Sequence, residues 1–144
     1  MYTIAALYHF TRFADPAMLK PALLACCLEN DIKGTLLLAP EGINGTIAGT
    51  RSGIDAAIAH IRTLPNCDHL EWKEATSTDA PFGKMKVRLK KEIVTMGQPD
   101  VDPLAQVGNY VDPSDWNALI QSDDVAVIDT RNDYEVAIGT FQGA

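Results

Sequence analysis

Short blocks of apolar residues recur along residues 1–97, and their spacing predicts strands and helices in a regular order. Alternating apolar and polar positions, or a short apolar run between turn residues, are typical of a β-strand. The predicted strands are Thr3–Phe10, Gly34–Ala39, Ile43–Gly49, His69–Ala75 and Met85–Val94. Two helices fall between them, which makes the order βαββαβ with one extra strand. This order predicts a ferredoxin-like α+β sandwich, in which helices cover one side of an antiparallel sheet.

Both predicted helices have a start signal and an apolar stripe. The first begins with an Asp15 cap followed by proline at the first helical position, and it is predicted to end near Asn30. The second is predicted over Gly53–Leu64, with Ser52 as its cap. The positions at core spacing are Leu19, Leu23, Cys26 and Cys27 in the first helix, and Ile54, Ala57, Ile58 and Ile61 in the second.

The second part of the chain has a different pattern. Residues 98–111 are rich in Pro, Asp and Gly and show little periodicity, which predicts a linker. An Asp-Pro-Ser start then precedes a predicted helix over Asp115–Gln121, and Val125–Ile128 is predicted to be a buried strand followed by a polar turn. One helix and one strand cannot bury their own apolar faces. We therefore expect one domain over residues 1–97 and the incomplete start of a second over residues 112–144.

The segment Lys84–Lys90 alternates cations with apolar residues. Successive side chains of a strand point to opposite faces, so the cations share one face and lie about 6.6–6.8 Å apart. This face is expected to be the open one, which the helices do not cover. The cations are Lys84, Lys86, Arg88 and Lys90, and Lys91 follows them. Two interpretations remain, a site for a polyanion and an amphipathic strand with a solvated lysine face.

The connection Pro40–Gly45 is dense in turn residues. One interpretation is a tight hairpin in which Gly and Asn adopt positive φ angles. The other is a loop that shapes the approach of a substrate. The candidate residues of that loop are Glu41, Gly42, Asn44 and Gly45. The sequence contains neither GxxxxGK[ST] nor GxGxxG, which argues against a phosphate-binding loop.

The chain has 144 residues and a net charge of −7, which on average disfavours nucleic acid as a partner. The charge is unevenly distributed, however. Residues 1–97 hold eleven basic and ten acidic side chains, whereas residues 98–144 hold nine acidic ones and a single basic one, Arg131. The basic strand therefore belongs to a nearly neutral domain, and the acidic segment accounts for the net charge.

Several classes of protein are disfavoured. No apolar run approaches the roughly 20 residues that a membrane helix needs, and no signal peptide is predicted. The cysteines, Cys26, Cys27 and Cys67, are odd in number and form no CxxC pair, so neither a disulfide framework nor a metal site is predicted. A cytoplasmic protein without a cofactor is the simplest expectation. His9, His60 and the thiols are interpreted as structural residues rather than as catalytic groups.

Three segments together resemble one family. They are EGINGTIAG (Glu41–Gly49), PFGKMKVRLKKEIV (Pro81–Val94) and VIDTRNDYEVAIGTFQGA (Val127–Ala144). The chain is similar to the rhodanese-domain tRNA uridine 5-hydroxylases, formerly grouped as UPF0176 rhodanese-related proteins. The resemblance covers nearly the whole chain. It implies an acylphosphatase-like N-terminal domain followed by a rhodanese domain, and oxygen-dependent hydroxylation of the wobble uridine of certain tRNAs to 5-hydroxyuridine.

The resemblance also implies roles for individual residues. Asp129 and Arg131 match the Asp-x-Arg turn that opens rhodanese domains, where a structural role is expected, and Gly143 and Ala144 match the Gly-Ala that follows it. Thr140 stands where many rhodaneses have His. The active-site cysteine of the family lies in a CTGGIRC-type loop, which these 144 residues do not contain. On their own they are therefore expected to be inactive.

The primary hypothesis is that the chain is the tRNA-contacting N-terminal part of a tRNA uridine hydroxylase. The cations of Lys84–Lys91 would contact phosphates, tRNA is the expected partner, and neither DNA nor a membrane is expected. The alternative is a protein-docking module of a rhodanese-type sulfurtransferase, whose basic face binds an acidic protein. A third hypothesis, an acyl-phosphate enzyme, is disfavoured because Asn44 has no Arg neighbour in the sequence.

Overall fold

A computed structural model describes residues 1–92, 104 and 108–144. The chain divides into two compact units, unit 1 (Met1–Gln106) and unit 2 (Val107–Ala144). Most of the predicted linker, residues 98–111, lies outside the described residues, as does the predicted end of the last strand at Ile93 and Val94.

Unit 1 contains all the elements predicted for it. Their order along the chain is β1 (Tyr2–Phe10), α1 (Pro16–Glu29), β2 (Lys33–Ala39), β3 (Gly42–Gly49), α2 (Arg51–Arg62), β4 (Trp72–Ser77) and β5 (Met85–Leu89). Most boundaries agree with the prediction to within two residues. The last strand is shorter than predicted, because β5 ends at Leu89 and the described residues 90–92 are not part of it. The start of β4 is three residues later than predicted, because the turn that follows α2 continues through residues 64–70, where Cys67 N–H donates to Leu64 O and Leu70 N–H to Cys67 O.

The five strands form one sheet in the order β4-β1-β3-β2-β5. The antiparallel arrangement holds for the first four strands, whereas β5 pairs with β2 in parallel. β4 is antiparallel to β1 and lies at one edge of the sheet, and β5 lies at the other edge. β5 starts at the end of the sheet where β4 stops, and it therefore runs antiparallel to β4 and parallel to β2. The α+β class is therefore as expected, with a mixed sheet instead of a purely antiparallel one.

The core lies between one face of the sheet and the two helices. Ala5 and Leu7 of β1 are buried there, together with the predicted stripe of α2 and with Leu23 and Cys27 of α1. The alternate residues of β1 lie on the opposite face. We call this opposite face, on which neither α1 nor α2 packs, the open face. Ile4, Ala6, Tyr8 and Phe10 share it.

The start of α2 differs from the prediction. Its N-cap is Thr50, whose Oγ1 accepts a hydrogen bond of 3.1 Å from the backbone N–H of Gly53, and the helix begins at Arg51. Ser52, the predicted cap, lies in the first turn. Thr50 and Ser52 are both residues of the type preferred at caps, so the local sequence alone does not choose between them. β3 ends at Gly49, and Thr50 is the last extended residue before the helix. The end of the strand therefore decides that Thr50, and not Ser52, is the cap.

Unit 2 contains two short helices, α3 (Pro113–Ile120) and α4 (Asp133–Ile138). The predicted strand Val125–Ile128 was wrong, because no strand is present within residues 108–144, and 79% of the Ile128 side chain is exposed. A strand requires a hydrogen-bonding partner, and the described residues of unit 2 offer none. The predicted polar turn after Asp129 instead contains α4. Within the described part of the chain, no helix is long and apolar enough to cross a membrane.

Candidate nucleic-acid interface

The cations of β5 alternate with core residues as predicted. Val87 is buried in the core and Met85 packs against it, whereas Lys86 and Arg88 point to the open face. The ladder continues at both ends of the strand. Gly34 N–H donates to Lys84 O, and Lys90 N–H donates to Leu38 O, each at 2.8 Å. The strand pairing therefore extends over the predicted cationic segment.

The register of the sheet aligns each cation of β5 with a row of residues that crosses the open face. The Arg88 row runs from Arg88 through Leu37 and Asn44 to Tyr8. Each residue of the row lies directly opposite the next one on the adjacent strand. The Lys86 row runs in the same way through Thr35 and Thr46 to Ala6. Since adjacent strands lie about 4.7–4.9 Å apart, a row measures about 14 Å from β5 to β1.

Charge is segregated between the two faces of the sheet. The strands place four cations on the open face, Lys33, Lys73, Lys86 and Arg88. The only carboxylate within the five strands is Glu74, and it lies on the face that the helices cover, opposite Ala5. Within the strands, the open face therefore carries positive charge only.

Glu74 is held on its own side of the sheet by two donors. The guanidinium of Arg51 donates to both carboxylate oxygens, at 2.7 and 2.9 Å, and Trp72 Nε1 donates to Oε1 at 2.8 Å. These hydrogen bonds, from Arg51 first and Trp72 second, lower the pKa of Glu74 to about 2. The carboxylate therefore stays charged and bound by Arg51, and it does not neutralise the cations on the open face.

Two aromatic rings lie on the open face of β1, and one of them, Tyr8, is at the end of the Arg88 row. Tyr8 and Phe10 are two residues apart on the same face, and their rings meet edge to face with centroids 4.8 Å apart and an angle of 86°. The Tyr8 side chain is 45% exposed. Sequence reasoning did not select these rings as candidate site residues. Alternation in β1 shows that they share a face, but β1 is apolar on both faces, so the sequence does not show which face is exposed.

The predicted substrate-approach segment forms the turn between β2 and β3 and the start of β3. The turn of the β2–β3 hairpin consists of Pro40 and Glu41, and the next residues already belong to β3. Gly42 and Gly45 have positive φ angles, of 144° and 157°, but the prediction of a positive φ at Asn44 was wrong. A Cβ atom on Gly45 would lie 2.1 Å from Thr35 O, so glycine is needed where these strands meet. Asn44 instead contributes to the open face, in the Arg88 row.

The turn itself is attached to the loop that follows β1. Thr11 N–H donates to Glu41 O and Phe13 N–H donates to Pro40 O, each at 2.9 Å. Both turn carbonyls therefore accept backbone hydrogen bonds from within unit 1, and the hairpin has a structural function. A direct contact between Glu41 and a substrate stays a prediction.

Asp129 and Arg131 form a closed turn in unit 2. The carboxylate of Asp129 accepts hydrogen bonds from the side chain and backbone N–H of Arg131 and from Thr140 Oγ1, the last at 2.6 Å. Arg131 also donates to Gly139 O at 2.7 Å. The hydrogen bonds from Arg131, and then from Thr140, hold the pKa of Asp129 well below its ordinary value. The geometry fits the structural role implied by the resemblance, and the hydroxyl of Thr140 participates in it.

Two thiols of unit 1, those of Cys27 and Cys67, are poor nucleophiles. Burial, and secondarily the electrostatic effect of neighbouring Cys26, raise the pKa of Cys27 to about 12. Burial and the nearby charge of Asp68 raise the pKa of Cys67 to about 11. Both thiols are therefore protonated at neutral pH, whereas nucleophilic cysteine chemistry requires a thiolate.

Comparison with known proteins adds to this geometry. Residues 2–93 match the model of the UPF0176 acylphosphatase like domain. The chain belongs to this family. The match covers the sheet, both helices and the cations Lys84–Lys91, and thus the whole candidate interface belongs to the UPF0176 domain. The acylphosphatase-like fold expected from the sequence is confirmed.

Several relatives of this UPF0176 chain have names that state an activity. Proteins named tRNA uridine(34) hydroxylase from Ruegeria pomeroyi, Roseobacter denitrificans and Jannaschia sp. are 79%, 71% and 66% identical to it over all 144 residues. The chain spans about half the length of these relatives, 48%, 49% and 48% respectively. Among solved structures, an acylphosphatase from Coxiella burnetii aligns with 62% of this chain and 90% of its own, at 11% identity and a TM-score of 0.42.

Proposed function

We propose that unit 1 binds tRNA for an enzyme that hydroxylates uridine 34. The observation that carries the proposal is the segregation of charge within the five strands, whose residues on the open face include Lys33, Lys73, Lys86 and Arg88 but no carboxylate. Phosphate contacts supply most of the affinity of proteins for nucleic acid, and lysine and arginine make them. The relatives' name, tRNA uridine(34) hydroxylase, supports tRNA as the nucleic acid and hydroxylation as the reaction. Such an enzyme works in the cytoplasm.

The contribution of unit 1 to the proposed enzyme is binding rather than chemistry. Cys27 and Cys67 have raised pKa values, and the ionised Glu74 is bound by Arg51 on the other side of the sheet. The cations near the edge strand β5, from Lys84 to Lys91, would position the RNA by its phosphates. The sulfurtransferase alternative is not favoured, because the relatives are named as hydroxylases.

A charge reversal on β5 tests the proposal. Lys86→Glu should weaken the binding of tRNA by the 144-residue chain at low salt by about tenfold or more, because one phosphate contact becomes a repulsion. The slope of log affinity against log salt should fall by about 1. Affinity is measured by fluorescence anisotropy of a labelled tRNA over a series of salt concentrations.

Lys20→Glu is the matched control, since it changes the net charge equally but lies on α1, on the other side of the sheet. It should leave the salt slope unchanged. If Lys86→Glu and Lys20→Glu weaken binding equally, only the net charge matters and the open face has no special role. If neither variant changes the affinity, the proposal is wrong.

A further inference from the structure

The open face combines two features that recognise different parts of a nucleic acid. Cations are concentrated on β5, and an aromatic pair, Tyr8 and Phe10, lies on β1. Cations contact phosphates and carry no information about base pairing, whereas aromatic rings stack on bases. A base is accessible for stacking only where the RNA is single-stranded or unpaired. The two features together therefore fit a strand with unpaired bases better than a regular duplex.

The Arg88 row connects these features in a straight line. Its residues change from charged Arg88 through apolar Leu37 and polar Asn44 to aromatic Tyr8. The distance of about 14 Å is small enough for a short single strand of RNA to reach across the four β-strands from β5 to β1. A carboxamide such as that of Asn44 has both a donor and acceptors, and base edges present both kinds of group.

The exposure of the rings agrees with this arrangement. The Tyr8 ring is 45% exposed although it is a large side chain on a central strand, and Phe10 supports it edge to face. On the opposite face of the same strand, Ala5 and Leu7 are buried. β1 thus presents Ala5 and Leu7 to the core, and Tyr8 and Phe10 to the side with the cations.

We infer that the open face is a stacking platform for unpaired bases of RNA, with Tyr8 as the stacking residue, Phe10 as its support and Arg88 as the phosphate anchor. This inference rests on the proposed function, because it assumes that the bound polyanion is RNA. It adds that the bound segment is single-stranded, such as a loop, and that part of its affinity is independent of salt.

The test uses the 144-residue chain with two probes, a short oligouridylate and a blunt RNA duplex with the same number of phosphates. Tyr8→Leu removes the ring but keeps apolar bulk, and Tyr8→Phe keeps the ring. Tyr8→Leu should weaken oligouridylate binding about 5- to 150-fold, which corresponds to the loss of one stacked base. It should leave the salt slope and the duplex affinity unchanged, and Tyr8→Phe should bind like the wild type.

Arg88→Gln separates this inference from the proposed function. It should reduce the salt slope for oligouridylate by about 0.7, the value for one phosphate of a single strand. If Arg88→Gln lowers the slope while Tyr8→Leu binds normally, RNA binding stands and the stacking platform is refuted. If the wild type binds neither RNA, both proposals are refuted. Thermal unfolding of each variant identifies misfolding, and Phe10→Leu, which should weaken oligouridylate binding less than Tyr8→Leu, supplies a second test of the platform.

Discussion

Two helices of this protein begin with the same sequence signal but differ in how far they are buried. Both α1 and α3 start with an Asp at the N-cap and a Pro in the first turn. α1 buries Leu23 and Cys27 against the sheet, whereas α3 has no buried residue. The local signal is enough to start a helix in either place. Burial depends on whether other elements cover its apolar side, and in unit 1 the sheet and α2 do so.

The two units also differ in how they are ordered. Unit 1 has a continuous apolar core, whereas no residue within 108–144 is buried and the Ile138 side chain is 89% exposed. The contacts within unit 2 include the hydrogen bonds between Asp129, Arg131 and Thr140 and the bond from Asn132 N–H to Glu135 Oε2 at 3.0 Å, beside one ring contact between Trp116 and Phe141. Apolar packing therefore stabilises unit 1, and local hydrogen bonds organise unit 2.

The largest expected effect comes from matched glycine substitutions in the two units. Gly45→Ala places a Cβ 2.1 Å from Thr35 O, at a φ of 157° that only glycine adopts easily. We expect it to lower the free energy of unfolding of unit 1 by about 3 kcal/mol or more. Gly139→Ala in unit 2 has nothing within 4 Å and should change stability by less than about 0.5 kcal/mol.

The reactivity of buried thiols provides the measurement, because all three cysteines lie in unit 1. Labelling of Cys27 and Cys67 by a thiol reagent in increasing urea reports the opening of unit 1. The midpoint should move to much lower urea for Gly45→Ala only. A similar shift of the midpoint for Gly139→Ala would show that the two units unfold together, and it would contradict a difference in stabilisation between them.

A smaller effect is expected at the start of α2. Thr50→Ala removes the hydroxyl that accepts from Gly53 N–H and should cost about 1 kcal/mol. Ser52→Ala, at the cap predicted from the sequence, should cost less than about 0.5 kcal/mol, since Ser52 lies within the first turn. Urea unfolding followed by circular dichroism compares the two variants, and a larger loss for Ser52→Ala would move the cap back to that residue.

The smallest effect on stability is expected from an ion pair in each unit. The pKa of Glu74 is lowered from 4.5 to about 2. Because this pKa is depressed in the folded state, its contribution to stability is complete above about pH 4.5 and is lost as the pH falls toward 2. Arg51→Gln should raise the pKa of Glu74 toward 4.5, although the hydrogen bond from Trp72 retains part of the shift. Titration of side-chain carboxyl groups by NMR measures this pKa.

The same titration tests the order of unit 2. Asp129 should titrate well below its ordinary value of 3.8 if Arg131 and Thr140 bind it in solution, and Arg131→Gln should raise its pKa. An ordinary pKa at Asp129 in the wild type, together with the lowered one at Glu74, would show that local hydrogen bonds do not order unit 2 in the absence of a core.

Much of unit 1 could be predicted from its sequence, for reasons that apply to particular elements. The stripe of α2, from Ile54 to Ile61, has a single period and one apolar side, so its buried face is unambiguous. The cations of β5 alternate strictly with Met85, Val87 and Leu89, which places them on one face of any sheet. In β1, by contrast, both faces are apolar, and alternation alone could not show that Tyr8 faces away from the helices.

The candidate site, too, could be predicted only in part from the sequence. The sequence by itself determined which residues carry charge and which of them share a face, because alternation along a strand is a property of the backbone. Only the tertiary structure decided that Arg88 lies in one row with Asn44 and Tyr8, since strand order and register depend on contacts between distant segments. The parallel position of β5 at the edge beside β2 brings the basic segment into line with the rings of β1. Val125–Ile128 shows the same dependence, because a strand forms only where a partner strand accepts its hydrogen bonds.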